Sequence, residues 1–299
     1  MSRHPTARAS SSGIQALFRS RFVLTRKSLM VLAVLTLIVS GIGLWRIYDR
    51  VQRRLEEERA LLARQNVVPF ERKLYPPLAS KELTIWQGFR DSRAIARFKD
   101  SYFVATDGGL VEFAPSGDLL RHYSVLDGLP ESDLLSLASF GSKLFIGTRT
   151  QGLVAFDGER FESYRWTDRM PQAITVLLED ANRLLIGTMA GGLIQFDGRQ
   201  FTEIKAGPDH NRLIGVNYLL KKNERLFVGT FAGGLWIEQG ARWSHYTVPD
   251  GLLSNRVVGV VANRENVFIA SDYGLTVAPF SSLSSQTDQT LAKTFRPVA

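Results

Sequence analysis

The 299 residues contain four histidines and no cysteine. Thiol nucleophiles, thiolate metal sites and disulfides are therefore excluded, and any acid–base chemistry falls to Asp, Glu and histidine. The histidines do not cluster at ligand spacing. His4 lies in the basic N-terminal stretch, His122 (RHYS) and His245 (SHYT) occupy equivalent places in a repeat, and His210 stands alone in GPDHNRL. The equivalent pair reads as packing, which leaves His210 as the histidine with a site to serve. No pattern calls for a catalytic residue, a metal or a cofactor.

Glycine pairs invite a phosphate-cradle reading, as at Gly191-Gly192 after Gly187-Thr188. That reading fails because no helix N-terminus follows them. They are read as structural: glycine for close approach and loop geometry, threonine for hydrogen bonds to nearby backbone.

The elements around these residues repeat. YFVATDGGLVEF, LFIGTRTQGLVAF, LLIGTMAGGLIQF, LFVGTFAGGLWI and VFIASDYGLTV place their last glycines at Gly109, Gly152, Gly192, Gly234 and Gly274. Steps of about 42 residues, each holding four short apolar runs, predict one propeller blade per repeat. In the third copy the strands are 173–180, 183–188, 191–196 and 200–204, from innermost to outermost. Asp157-Gly158 and Asp197-Gly198 are expected as two-residue hairpin turns. The expected fold is all-β, a five-bladed β-propeller of four-stranded blades preceded by a single transmembrane helix and a helical stalk.

Loops that differ between copies of a rigid scaffold are where recognition resides. Those between second and third strands offer Asp107, Arg149, Gln151, Met189, Phe231, Asp272 and Tyr273; the connections between blades offer Asp127, Asp168, Arg169, Asp209, His210, Asn211, Asp250 and Asn255. The candidate ligand- or partner-binding set is Asp107, Arg149, Gln151, Met189, Asp209, His210, Phe231, Asp272 and Tyr273. Mixed aromatic, Met, Arg and Asp character suits a polar ligand with an apolar face, or a protein surface.

The last copy lacks a fourth strand. ELTIWQGF (82–89) is expected to supply it and shut the ring, with KTFRPV (293–298) as the competing segment; closure within one chain and blades shared between two chains both stay open.

The stretch HYSVLDGLPESDLLSLASFGSKLFIGTRTQGLVAFDGERFESY, with DGL at 127–129 and 250–252, GT at 147, 187 and 229, and FDG at 156 and 196, resembles the two-component regulator propeller repeat. The resemblance covers roughly residues 82–280. It implies a periplasmic ligand-binding sensor module, here with five blades and no kinase following.

Upstream, eighteen uncharged residues (28–45) lie between Lys27 and Arg46. As a helix they would span about 27 Å, the thickness of a bilayer core. A cleaved signal peptide, ending at Gly41-Ile42-Gly43, is the alternative. The organisation is then a basic cytoplasmic tail (1–27), a membrane helix (28–45), a juxtamembrane helix (46–65), a Pro-containing linker (66–80), the propeller (81–281) and a C-terminal tail (282–299). Lys and Arg are nearly balanced across the span, so the orientation, N-terminus in the cytoplasm and propeller in the periplasm of a bacterial inner membrane, also leans on the resemblance. Up to residue 80 there are 14 basic and 5 acidic residues, and beyond it 23 and 24. The basic character thus belongs to the membrane region, and no nucleic-acid footprint remains on the propeller. Expected partners are membrane lipid at 28–45, a second copy through a coiled coil at 46–65, and an unknown small ligand or envelope protein. A non-catalytic binding or sensing module is expected; an envelope assembly scaffold and, less so, a propeller lyase or hydrolase are the alternatives.

Overall fold

The computed structural model describes residues 30, 39–54, 57, 66–77, 91–167, 173–207, 211–283 and 296–298. It divides into two units, 1–61 and 62–299. In the first, residues 30, 39–54 and 57 are helical, and Val39, Ile42, Leu44, Trp45, Ile47, Tyr48 and Val51 are all exposed. Asp49 and Arg53 form an i,i+4 ion pair. Among the described residues no helix is long and apolar enough to cross a membrane; of the expected span 28–45, residues 28, 29 and 31–38 lie outside them.

The second unit is β. After β1 (Val67–Val68) and β2 (Phe70–Tyr75) come five antiparallel sheets among the described residues. The first holds β3 (Ser92–Phe98), β4 (Ser101–Thr106), β5 (Gly109–Phe113) and β6 (Leu119–Tyr123). The second holds β7 (Leu134–Phe140), β8 (Lys143–Thr148), β9 (Leu153–Phe156) and β10 (Phe161–Trp166). The third has β11 (Ile174–Asp180), β12 (Arg183–Thr188), β13 (Leu193–Phe196) and β14 (Phe201–Ala206), with the short β15 (Asn211–Arg212) paired to β14. The fourth has β16 (Val216–Lys222), β17 (Arg225–Thr230), β18 (Leu235–Gln239) and β19 (Arg242–Tyr246); the fifth has β20 (Val257–Ala262), β21 (Asn266–Ser271), β22 (Gly274–Pro279) and β23 (Arg296–Val298). Each sheet meanders from its first to its fourth strand, and the first strands of successive sheets pack side by side. This is propeller topology.

The repeat residues explain the packing. Gly187 lies where a Cβ would come 2.5 Å from Val176 and 2.6 Å from Val216, and Gly229 where it would come 2.7 Å from Val257. Val216 and Val257 open the first strand of the next sheet and are fully buried, so glycine lets that side chain seat on the preceding sheet. The FDG phenylalanines Phe156 and Phe196 stack on Phe161 and Phe201, with centroids 4.6 and 4.4 Å apart.

Three expectations are corrected. Asp157 and Asp197 do not begin two-residue turns: Phe156 pairs with Phe161 and Phe196 with Phe201, leaving four-residue loops. The Asp carboxylates close these loops, accepting from Glu159 and Arg160, and from Arg199 and Gln200, at 2.8 Å. The outer place of the fifth sheet is held by β23, from the competing C-terminal segment, antiparallel to Leu275–Val277; residues 82–89 lie outside the described residues. Among the described residues β23 is the last strand of this sheet, and edge strands are where proline is tolerated. The 66–80 segment is not a free linker along its first half: β2 pairs with β10 through six residues, and β1 with β14. Glu162 pins β2, accepting from Arg72 at 2.6 Å and from Lys143 at 2.7 Å.

Candidate functional site

In a meandering sheet, the loop between second and third strands emerges at the same end as the connection to the next sheet. Backbone hydrogen bonds tie the two together. Arg149 N–H donates to the Asp133 carbonyl at 3.1 Å, Met189 N–H to Ala173 at 3.0 Å, and Phe231 N–H to Gly215 at 2.8 Å. In the first sheet the Asp107 carboxylate accepts from Asp91 N–H at 3.5 Å. Asp107, Arg149, Met189 and Phe231 therefore stand at equivalent places on one end of their sheets. Gln151 N–H donates to Glu131 at 3.0 Å, and Asp272 and Tyr273 form the corresponding loop of the fifth sheet, with Tyr273 77% exposed. Gly215 has the Phe231 side chain and the Met189 carbonyl within 4 Å of where a Cβ would be, so these two loops approach each other. Asp209 and His210, like Asp168 and Arg169, lie outside the described residues.

Four residues of this end were not legible in the sequence: Arg93, Glu131, Asp133 and Arg256. Asp133 sits between Arg93 and Arg149 and joins the first sheet to the second by ion pairs to both. Partial burial pushes its carboxyl up, but the hydrogen bonds and charges of Arg149 and Arg93 outweigh this and hold it below the usual range. Glu131 accepts from the N–H and hydroxyl of Thr150 at 2.8 and 3.0 Å, fixing the Arg149 loop. Arg256 places its guanidinium 5.3 Å from the Phe231 ring centroid. The signal for Asp133 was its position immediately before the apolar residue that opens an inner strand.

The result is a surface of exposed guanidinium and apolar groups: Arg149 is half exposed, Met189 41% exposed, and Arg256 and Tyr273 project into solvent. Its carboxylates Asp133 and Glu131 are engaged as anchors. Among the described residues no three or more Asp, Glu or His side chains are grouped to hold a metal ion. Two clefts lie at the opposite end of the sheets, one of about 190 Å³ lined by Arg72, Lys143, Asp157, Arg160 and Glu162, the other of about 330 Å³ lined by Asp180, Asn182, Arg183, Gln195 and Asp197. Glu162 and Asp180 are committed there to Lys and Arg partners.

The repeat motifs have structural duties. The hydroxyls of Thr106, Thr148, Thr188 and Thr230 donate to the carbonyls of Gly109, Gly152, Gly192 and Gly234 at 2.8–2.9 Å. His122 and His245 brace the same loops through the Gly108 and Gly233 carbonyls, at 3.1 and 2.6 Å. Asp127 and Asp250 cap 3₁₀ turns, accepting from Ser124 N–H at 2.9 Å and Thr247 N–H at 2.8 Å, while Gly128 and Gly251 take positive φ and Leu129 and Leu252 are buried.

No family model and no curated protein matches the chain. Solved structures do. The extracellular domain of BT4673, a proposed one-component system of B. thetaiotaomicron, is 22% identical over 70% of this chain and 31% of that one, with a TM-score of 0.52. The extracellular domain of BT3049, a proposed hybrid two-component system of the same organism, is 18% identical over 70% of this chain and 28% of that one, with a TM-score of 0.56. The likeness is one of fold. This chain spans less than a third of the length of either domain.

Proposed function

We propose that the chain is a membrane-tethered, extracytoplasmic β-propeller of five blades, of the two-component regulator propeller kind, which binds a ligand or an envelope protein without catalytic chemistry. The observation that carries this reading is the gathering of non-identical side chains, Arg149, Met189 and Phe231, at equivalent loops locked by equivalent backbone hydrogen bonds. Such an arrangement varies the contact surface while keeping its frame constant, which is how scaffolds build recognition sites. The anchored carboxylates favour recognition over proton transfer. The uncharged run at 28–45 and the exposed apolar side chains from Val39 to Val51 support the tether, and the fold shared with extracellular sensor domains is in keeping with a place outside the cytoplasm.

An envelope assembly scaffold is the second reading, favoured by the exposure of Met189 and Tyr273, which suits protein surfaces. Partner capture with the detergent-solubilised full chain tests both. A protein retained by wild type and lost with Arg149→Ala/Phe231→Ala supports binding at this end. A partner held equally by the double variant contradicts it, and a ligand-induced thermal shift without any protein partner favours the small-ligand form.

A further inference from the structure

The second strands of the three central sheets, β8, β12 and β17, are buried on both faces along almost their whole length. Those of the first and last sheets are not: β4 and β21 alternate between buried and partly exposed. In the first sheet Phe103 and Ala105 are buried towards the second sheet. The opposite face carries the cross-strand pairs Ile95–Val104 and Arg97–Tyr102, with Ile95 68% and Tyr102 39% exposed. In the fifth sheet Val260, Ile269 and Thr276 are buried; the opposite face carries the rows Val261–Phe268–Val277 and Gly259–Ala270–Leu275, with Val261 64% exposed and the first row ending on Arg296 of β23. Apolar residues on both faces of a strand belong to sheets covered on both faces. Here each terminal sheet has one face that leaves apolar side chains exposed, Ile95 and Tyr102 on the first and Val261 on the fifth, although Val111 beside Val104 is buried; such exposed apolar groups mark an interaction site.

Among the described residues these faces do not cover each other. β4 packs on β7, β8 on β11, β12 on β16 and β17 on β20, but among the described residues no packing of that extent joins β20 or β21 to β3. The four junctions share one polarity: the second strand of each sheet receives the first strand of the next. The fifth sheet offers only the receiving half of such a junction, and the first sheet only the inserted half.

We infer that a second copy of this chain covers them, the fifth sheet of each copy seated on the first sheet of the other. The two open faces are complementary halves of an interface that the chain already makes four times, and a two-fold arrangement satisfies both in both copies with two identical contacts. The contact between copies is apolar where the internal ones are also hydrogen bonded. Arg93, Thr175 and Asn217, at the bulges of β3, β11 and β16, donate to the first residue of the next inner strand, whereas the bulge of β20 carries Val258, which has no donor and is 41% exposed. Likewise Ser92 stands where Leu134, Ile174, Val216 and Val257 open the other inner strands.

The absence of native cysteine lets single thiols report the contact. Full-length chain carrying Ile95→Cys is co-expressed with full-length chain carrying Val261→Cys and a tag of different size. Both are solubilised in detergent and treated with a short bis-maleimide. The expected product is a mixed dimer, with little cross-linking when either variant is expressed alone. Val258→Glu on the Val261→Cys chain places an unpaired charge in the contact and lowers the mixed product about tenfold or more, with the circular dichroism spectrum unchanged. Dimers of Val261→Cys alone, a link confined to one chain in the doubly substituted protein, or absence of the mixed dimer would each overturn the inference.

Discussion

The Asn217 side-chain amide donates to the Val257 carbonyl across 3.1 Å, linking the bulge of one inner strand to the first residue of the next. The same step is made by Ser136 to Ile174 at 2.9 Å, by Arg93 to Leu134 at 3.1 Å, and by Thr175 to Val216. The accepting residues are fully buried, so each donor satisfies a carbonyl that water does not reach. Thr175→Val keeps the shape and removes the donor, and is predicted to cost about 1–3 kcal/mol. Urea unfolding of the full chain in detergent checks this as a lowered midpoint with an unchanged slope.

Gly187→Ala drives a methyl group against Val176 and Val216. Overpacking of this kind costs about 1–3 kcal/mol, because the neighbours belong to two different sheets and cannot both retreat. A thermal melt should show a clear loss.

The strap formed by β2 responds to acid. Burial pushes the Glu162 carboxyl up, but hydrogen bonds from Lys143, Arg72 and Tyr164 outweigh it and hold the group below its ordinary value of 4.5. A carboxylate held low in the folded state adds stability above its ordinary value, and this is lost as pH falls through the folded-state value. Asp133 and Asp127 shift in the same direction. The melting temperature should therefore fall as pH drops from about 4.5, after little change from neutrality to that point. In Glu162→Gln part of that acid-dependent fall should be missing; an identical acid profile would remove Glu162 from the explanation.

Much of this was legible from local chemistry. The GT and GG-L positions set strand order, because glycine and threonine there answer to the next sheet and to the loop carbonyl within four residues. DGL carried the resemblance to the repeat family, and the structure gives Asp, Gly and Leu each one local duty there: cap, positive φ and anchor. What escaped depends on pairing distant in sequence. FERKLY (70–75) is flanked by prolines and looks like linker, and nothing local tells that Glu162, 90 residues on, will hold Arg72. The fourth strand of the fifth sheet was misjudged for a related reason: ELTIWQGF has the stronger β composition, but an outermost strand tolerates proline, so composition did not decide between the candidates. Of the candidate site, the loop residues followed from the repeat. Arg93 and Asp133 did not, since their roles arise only where two sheets meet.

The central claim is that recognition takes place at the end carrying Arg149, Met189 and Phe231. The most direct test places a photo-cross-linking phenylalanine analogue at Met189, and in a second protein at Asn182 on the opposite end, in full-length chain irradiated in cells. The account predicts a discrete adduct from position 189 that is lost with Arg149→Ala/Phe231→Ala, and none from position 182. An adduct from position 182 alone, or one from position 189 that survives the double substitution, would contradict it.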